Sequence, residues 1–215
     1  MIGDPMSDAD AGHAGHYVAL EGIEGAGKST IAERAATWLR ARGSEVVTVR
    51  EPGGTTAGER IRQILLDPAT DLGPWGEALL FAAARAQLAR ERVGPALEDG
   101  AWVISDRSVY SSLAYQGGGR GLGIDRVRAV NEPGLQGVWP DLVIVLRVDP
   151  RQGLARQEVA DRIGAEGVAF QQRVADAFDE LVMAEPDRVV AVDATMELDA
   201  VVDAVVALIA ESCDR

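Results

Sequence analysis

GIEGAGKS, Gly22 to Ser29, decides how this chain folds. It has the form G-x-x-x-x-G-K-[ST]. The apolar run Tyr17 to Leu20 (YVAL) before it reads as a short buried strand. Ser29 to Arg42 after it reads as a helix, with Ile31, Ala35, Trp38 and Leu39 on one face and Gly43 past its end. A strand, a glycine turn and a helix form the setting in which backbone N–H groups converge on phosphate oxygens, and the helix N-terminus adds its positive dipole end. Lys28 is the only lysine in the chain. Its compact ammonium on a flexible stem suits the β- and γ-phosphates of a nucleoside triphosphate. Gly22, Ile23, Glu24, Gly25, Ala26, Gly27, Lys28, Ser29 and Thr30 therefore form the expected nucleotide loop, with the Ser29 hydroxyl as a ligand for Mg²⁺.

Outward from this loop, apolar runs alternate with helical patterns. Strands are expected at Glu45 to Val49, Trp102 to Ile104, Leu142 to Val148 and Val189 to Val192. Helices are expected at Gly58 to Leu66, Gly76 to Val93, Val109 to Tyr115 and Leu198 to Glu211, with a glycine-rich loop at Gly117 to Gly123. Near-continuous apolar strands between helices predict a parallel sheet covered on both faces. Ligands of such sheets bind beyond the carboxyl ends of the strands. At 215 residues the chain suits one domain over 16–215, preceded by a small, polar, disordered tail over 1–15.

Composition excludes several chemistries. His13 and His16 are the only histidines, and both lie in or beside the tail. The body thus lacks an imidazole for a Ser–His triad or a His-ligated metal. Cys213 is the single cysteine, so no intrachain disulfide forms. No apolar run reaches the ~20 residues of a membrane span. A net charge of −13 disfavours nucleic acid as a partner. These features fit a cytoplasmic protein. They also make the arginines the guide to a site for anions.

Four further stretches carry such arginines. REPGGT, Arg50 to Thr55, leaves the second strand, and Arg50 offers a planar fork suited to a phosphate. An ordinary turn with a surface arginine has the same local pattern. DRSVYSSLAYQGGGRG, Asp106 to Gly121, leaves the third strand. There Asp106 can hold the water shell of a magnesium ion while Arg107 enters the same crevice. A surface ion pair is the alternative. Phe81 and Arg85 are helical neighbours that either bind a nucleobase or pack as core aromatic and snorkelling arginine. ARQEVADRI, Ala155 to Ile163, is either a lid over the triphosphate or a solvated helix face.

GIEGAGKST, REPGGT, FAAAR, and DR followed by AYQGGGRG stand in an order and spacing that resemble bacterial thymidylate kinases, from about residue 17 onward. The resemblance implies a P-loop fold with a five-stranded parallel sheet, a short lid at about 155–166 and a homodimer. The implied activity is Mg²⁺-dependent transfer from ATP to dTMP. Arg50 and Arg107 would hold the dTMP phosphate, Phe81 would stack on thymine, and Arg85 would bond its edge. Ser111, Ser112 and Gln116 would line the pocket, and Tyr115 would sit under the sugar and disfavour a 2′-hydroxyl. Glu24 would approach the sugar 3′-hydroxyl or the metal shell. Lys28, Arg107, Arg156 and Arg162 would stabilise the transferring group. Two departures concern the lid, which is short in arginine and has Gly164 where the family tends to have an acidic residue. Glu166 lies nearby but out of register.

Two other functions share some of these residues. A deoxynucleoside kinase would need a carboxylate base for a hydroxyl acceptor, with Glu51 or Glu24 in that role. Arg50 beside Arg107 favours an acceptor that is already a phosphate. A nucleotide-binding protein with little turnover is the third possibility, given the altered lid.

Overall fold

The computed structural model describes residues 14–156 and 162–212. Most of the expected tail, the centre of the expected lid and Cys213 lie outside the described residues. Five strands, β1 (His16–Glu21), β2 (Val46–Arg50), β3 (Trp102–Asp106), β4 (Leu142–Arg147) and β5 (Val189–Asp193), pair in parallel in the order β2-β3-β1-β4-β5. The three inner strands are apolar on both faces because helices cover both. Leu20, Ile104 and Ile144 have no exposed surface, and each such side chain contributes roughly 1.5–3 kcal/mol. β2 is an edge strand and is only partly buried.

The helices are α1 (Lys28–Arg40), α2 (Thr56–Leu66), α3 (Pro74–Leu88), α4 (Gly94–Glu98), α5 (Val109–Ser112), α6 (Ile124–Leu135), α7 (Pro150–Ala155), α8 (Val168–Ala184) and α9 (Leu198–Ser212). α1 buries Ile31, Ala35 and Leu39 as its periodicity predicts. The long helix expected to Val93 instead passes at Ala89 into a π-helical turn that runs on into α4.

α6 and α8 have no counterpart among the expected helices, and a further departure is at the glycines. α5 continues as a π-helical segment, Leu113–Gly119, so Gly117 to Gly119 are helical rather than part of a loop. These glycines serve packing. A Cβ on Gly118 would lie 2.4 Å from the Cβ of Ala177, and one on Gly119 would lie 2.8 Å from Val174. Without side chains there, α8 seats directly on the segment that carries Tyr115 and Gln116 into the site.

Candidate active site

Strand register assembles the site. Leu20 of β1 and Arg50 of β2 both sit opposite Asp106 of β3. Three adjacent strands therefore deliver the nucleotide loop, the Asp106–Arg107 pair and Arg50 to one crevice. A cavity of about 350 Å³ opens there. Glu24, Gly25, Gly27, Lys28, Ser29, Thr30, Arg50, Phe81, Arg85, Asp106, Arg107, Ser111, Ser112, Tyr115 and Gln116 all line it. Gly22, Ile23 and Ala26 shape the loop from behind. The side chains of Ile23 and Ala26 are buried in the core, and Gly22, at φ 136°, lies so close to Leu146 that a Cβ would be 2.6 Å from its carbonyl oxygen.

At the donor end, α1 starts after Gly27, which is in the left-handed region at φ 89° and supplies no side-chain cap. The first N–H groups of the helix are thus left for a ligand. Lys28 is buried and donates from Nζ to the Ile23 carbonyl oxygen at 2.8 Å. Burial, reinforced by the charge of Arg107, brings its ammonium down to a pKa of about 8. The Ser29 hydroxyl donates to Oδ2 of Asp106. Two hard oxygens so placed suit Mg²⁺, which takes one or two protein oxygens and keeps phosphate and water for the rest. The described residues contain no cluster of three or more His, Cys, Asp or Glu fit to hold an ion.

Arg107 lines the cavity beside the nucleotide loop. Its backbone is in the left-handed region at φ 74°, an uncommon conformation for a residue with a Cβ. Its guanidinium donates to the Gly22 carbonyl oxygen and to Ser111 Oγ, each at 3.1 Å, to Glu24 Oε1 at 2.5 Å and to the Tyr115 hydroxyl at 3.2 Å. Burial is the largest influence and works against the charge, but Glu24, Tyr115, Glu21 and Asp106 together outweigh it and hold the group firmly protonated. Glu24 is therefore engaged with Arg107 in this structure. Glu21 is wholly buried. It accepts from Ser108 N at 2.7 Å, Ser108 Oγ at 2.8 Å, Ser111 N at 3.1 Å and Ser111 Oγ at 2.5 Å. Burial pushes its carboxyl upward, against these donors. Glu21 was not among the expected site residues. Its signal in the sequence was a charge closing an apolar strand just before the glycine loop.

Arg85, Ser112 and Gln116 line another part of the cavity. Arg85 lines the pocket, but as a fixed fork. Nε donates to Glu51 at 2.7 Å, one terminal nitrogen donates to Asn131 Oδ1 at 2.5 Å, and the other donates to the Ser108 carbonyl oxygen at 3.1 Å. The pair with Glu51 is almost completely buried. Ser112 Oγ is buried and has no hydrogen-bond partner. Gln116 Nε2 donates to Glu77 Oε1 at 2.8 Å.

The two lid arginines part company. Arg156 lies over the nucleotide loop, with a guanidinium nitrogen 3.4 Å from the Gly25 carbonyl oxygen. Arg162 does not line the cavity. Its Nε donates to the Leu65 carbonyl oxygen at 2.7 Å, and its NH1 pairs with Glu77 at 2.8 Å. Neither arginine lines the cavity, but Arg156 lies at the nucleotide loop while Arg162 is held on α3. A buried carboxylate on α3 captures Arg162, because an unpaired charge there would be costly.

A glycine loop at a helix start, facing an arginine-lined hollow across the ends of parallel strands, defines a P-loop kinase that holds two anionic ligands at once. The comparisons with known proteins narrow the class. The family model described as thymidylate kinase matches residues 20–205. The thymidylate kinase of Deinococcus radiodurans is 46% identical over 188 residues, covering 86% of this chain and 91% of that protein. That of Halothermothrix orenii is 47% identical over 186 residues, covering 84% and 89%. The crystal structure of the Ehrlichia chaffeensis thymidylate kinase superposes with a TM-score of 0.76 at 28% identity, covering 91% of this chain and 98% of that one. The chain belongs to the thymidylate kinase family.

Proposed function

We propose that the enzyme transfers the γ-phosphoryl group of ATP to dTMP, giving ADP and dTDP. Family membership supports this activity, and one observation carries its chemistry. Lys28, which is buried, and Arg107, which is half-buried, line a single cavity, Lys28 held by a backbone carbonyl and Arg107 by a backbone carbonyl and a carboxylate. Two cations so placed suit two phosphates better than one phosphate and one hydroxyl.

The acceptor needs no general base. The second pKa of a phosphate monoester is near ~6, so dTMP arrives mostly dianionic. Catalysis is then positioning plus charge stabilisation. The loop N–H groups and Lys28 hold the donor phosphates, while Arg107, with Arg50 at the cavity mouth, holds the acceptor phosphate. Phe81 offers a plane to the base, and Tyr115 packs beneath the sugar. Ser29 and Asp106 would hold Mg²⁺, which supplies charge neutralisation between the β- and γ-phosphates when bound. Arg156, over the loop, is the lid arginine for the transferring group. A homodimer acting in the cytoplasm completes the proposal. In keeping with it, no helix among the described residues is long and apolar enough to cross a membrane.

An ADP-release assay with ATP and each of dTMP, dUMP and thymidine tests the proposal. The expected result is turnover with dTMP and none with thymidine. Phosphorylation of thymidine alone would establish the hydroxyl-acceptor rival.

A further inference from the structure

Glu77 has no contact with the cavity, yet it is one of the most connected side chains in the protein. It lies on α3, one turn before Phe81, and is 1% exposed. Oε1 accepts from Gln116 Nε2 at 2.8 Å and from Arg120 Nε at 3.1 Å. Oε2 accepts from Arg120 NH2 at 2.9 Å and Arg162 NH1 at 2.8 Å. Burial alone would raise its carboxyl, but the hydrogen bonds from Arg120 and Gln116 prevail and hold it below the usual carboxylate range. It is therefore an ionised group that can only accept.

That fact fixes the side-chain amide of Gln116. An amide can present either NH2 or C=O to a neighbour, but a carboxylate tolerates only the NH2. Gln116 also lines the cavity, so the atom left to face it is then Oε1. Gln116 is 1% exposed, so the amide has no solvent in which to turn. On the same cavity Arg85 presents a group that can only donate. An acceptor and a donor thereby line one cavity.

We propose that Glu77 is a specificity-determining positioning residue: it locks the Gln116 amide so that the pocket reads a pyrimidine with a 4-keto group and an N3–H, and rejects one with a 4-amino group and a bare N3. The inference rests on the proposed dTMP activity and deepens it. Thymine offers an acceptor at C4 to Arg85 and a donor at N3 to Gln116 Oε1. Cytosine reverses both, setting donor against donor and acceptor against acceptor in a buried site, which is among the stronger forms of discrimination. With Gln at position 77 an amide replaces the carboxylate. It can donate as well as accept, so Gln116 is free to rotate and offer NH2 to the cytosine N3.

The test measures kcat/KM for dTMP and dCMP in wild type, Glu77→Gln, Gln116→Leu and the double variant, with melting temperature as a check on folding. The expected result is a dTMP-to-dCMP ratio at least about tenfold lower in E77Q and in Q116L, with no further fall when the two are combined. A merely structural Glu77 would lower the melting temperature or slow both substrates alike. An unchanged ratio in E77Q would therefore overturn the inference, as would independent, multiplying effects in the double variant. If E77Q does not fold, Q116L carries the test, and a retained ratio there overturns it equally. Wild-type enzyme that uses dTMP and dCMP equally well would refute the inference alone, whereas failure to use dTMP would refute the underlying activity.

Discussion

Arg107 and Arg50 leave neighbouring strands and serve the same proposed phosphate, but the protein treats them differently. The Arg107 side chain is 14% exposed and its guanidinium is held by partners on the nucleotide loop, on α5 and on the π-helical segment that follows. The Arg50 side chain is 55% exposed and, among the described residues, reaches only Glu59, at 3.3 Å. One fork is preorganised and desolvated, and the other is free to be recruited. A charge fixed in place before the substrate arrives costs nothing to orient during reaction. A solvated one pays in side-chain entropy and gains little from a screened contact.

The comparison can be broken most directly at Arg107. Arg107→Ala is expected to lower kcat/KM for dTMP by roughly 10³-fold or more, as loss of a preorganised charge does. It should also lower the melting temperature, because Glu24 loses its partner. Arg107→Lys should recover little, since one ammonium cannot reproduce a fork with four acceptors. A near-normal rate in either variant would remove Arg107 from the centre of the site.

The lid arginines sharpen the same contrast at intermediate size. Arg156→Ala should reduce kcat by about 10- to 100-fold with an unchanged melting temperature, because its one side-chain contact among the described residues is a carbonyl of the loop. Arg162→Ala should show the reverse pattern, a lower melting temperature with a smaller loss of rate, because it leaves Glu77 buried with one donor fewer. Equal kinetic losses in both variants would mean that Arg162 leaves Glu77 during turnover.

Arg50→Ala is the weaker counterpart of the Arg107 experiment. It should raise KM for dTMP by about tenfold with little change in kcat or melting temperature. A loss as large as that of Arg107→Ala would show that exposure in the empty site says nothing about its role in the complex.

The smallest effect is one of pH. Lys28 has a pKa of about 8 in the free enzyme, against an ordinary value of 10.5, and bound phosphates would raise it again. Above about pH 8 ATP must therefore bring a proton with it, and its affinity should fall by up to about tenfold per pH unit. The same depressed value means that the unfolded chain binds more protons in that window. This group's contribution to the stability of the empty protein is thus full above 10.5 and is lost as pH falls through 8. Calorimetry in buffers of different ionisation enthalpy would show uptake approaching one proton at about pH 9 and none at about pH 6.5. Equal proton counts at both would assign Lys28 an ordinary pKa.

Residues fixed by local pattern were legible in the sequence. The strand–turn–helix around Gly22 to Ser29 needs only period and glycine, and the positions following β2 and β3 gave Arg50, Asp106 and Arg107. Less legible was what depends on distant partners. Glu21 and Glu77 read as ordinary acidic residues and Glu51 as a candidate base, and only the fold shows that each is buried against a donor set from another element. Arg162 seemed equivalent to Arg156 because nothing near it in the chain announces Glu77, which lies on a helix far upstream. Gly117 to Gly119 read as a loop because their helical use is dictated by α8, whose small Ala177 faces them.

The lone primary amine has a practical corollary. Apart from the chain terminus, an acylating reagent finds one nitrogen it can modify, and that nitrogen sits at the triphosphate end of the cavity. With a pKa of about 8 it is partly in its reactive, uncharged form under mild conditions. Mass added by such a reagent, read on the intact protein, would therefore count vacant nucleotide loops one by one, with no engineered label.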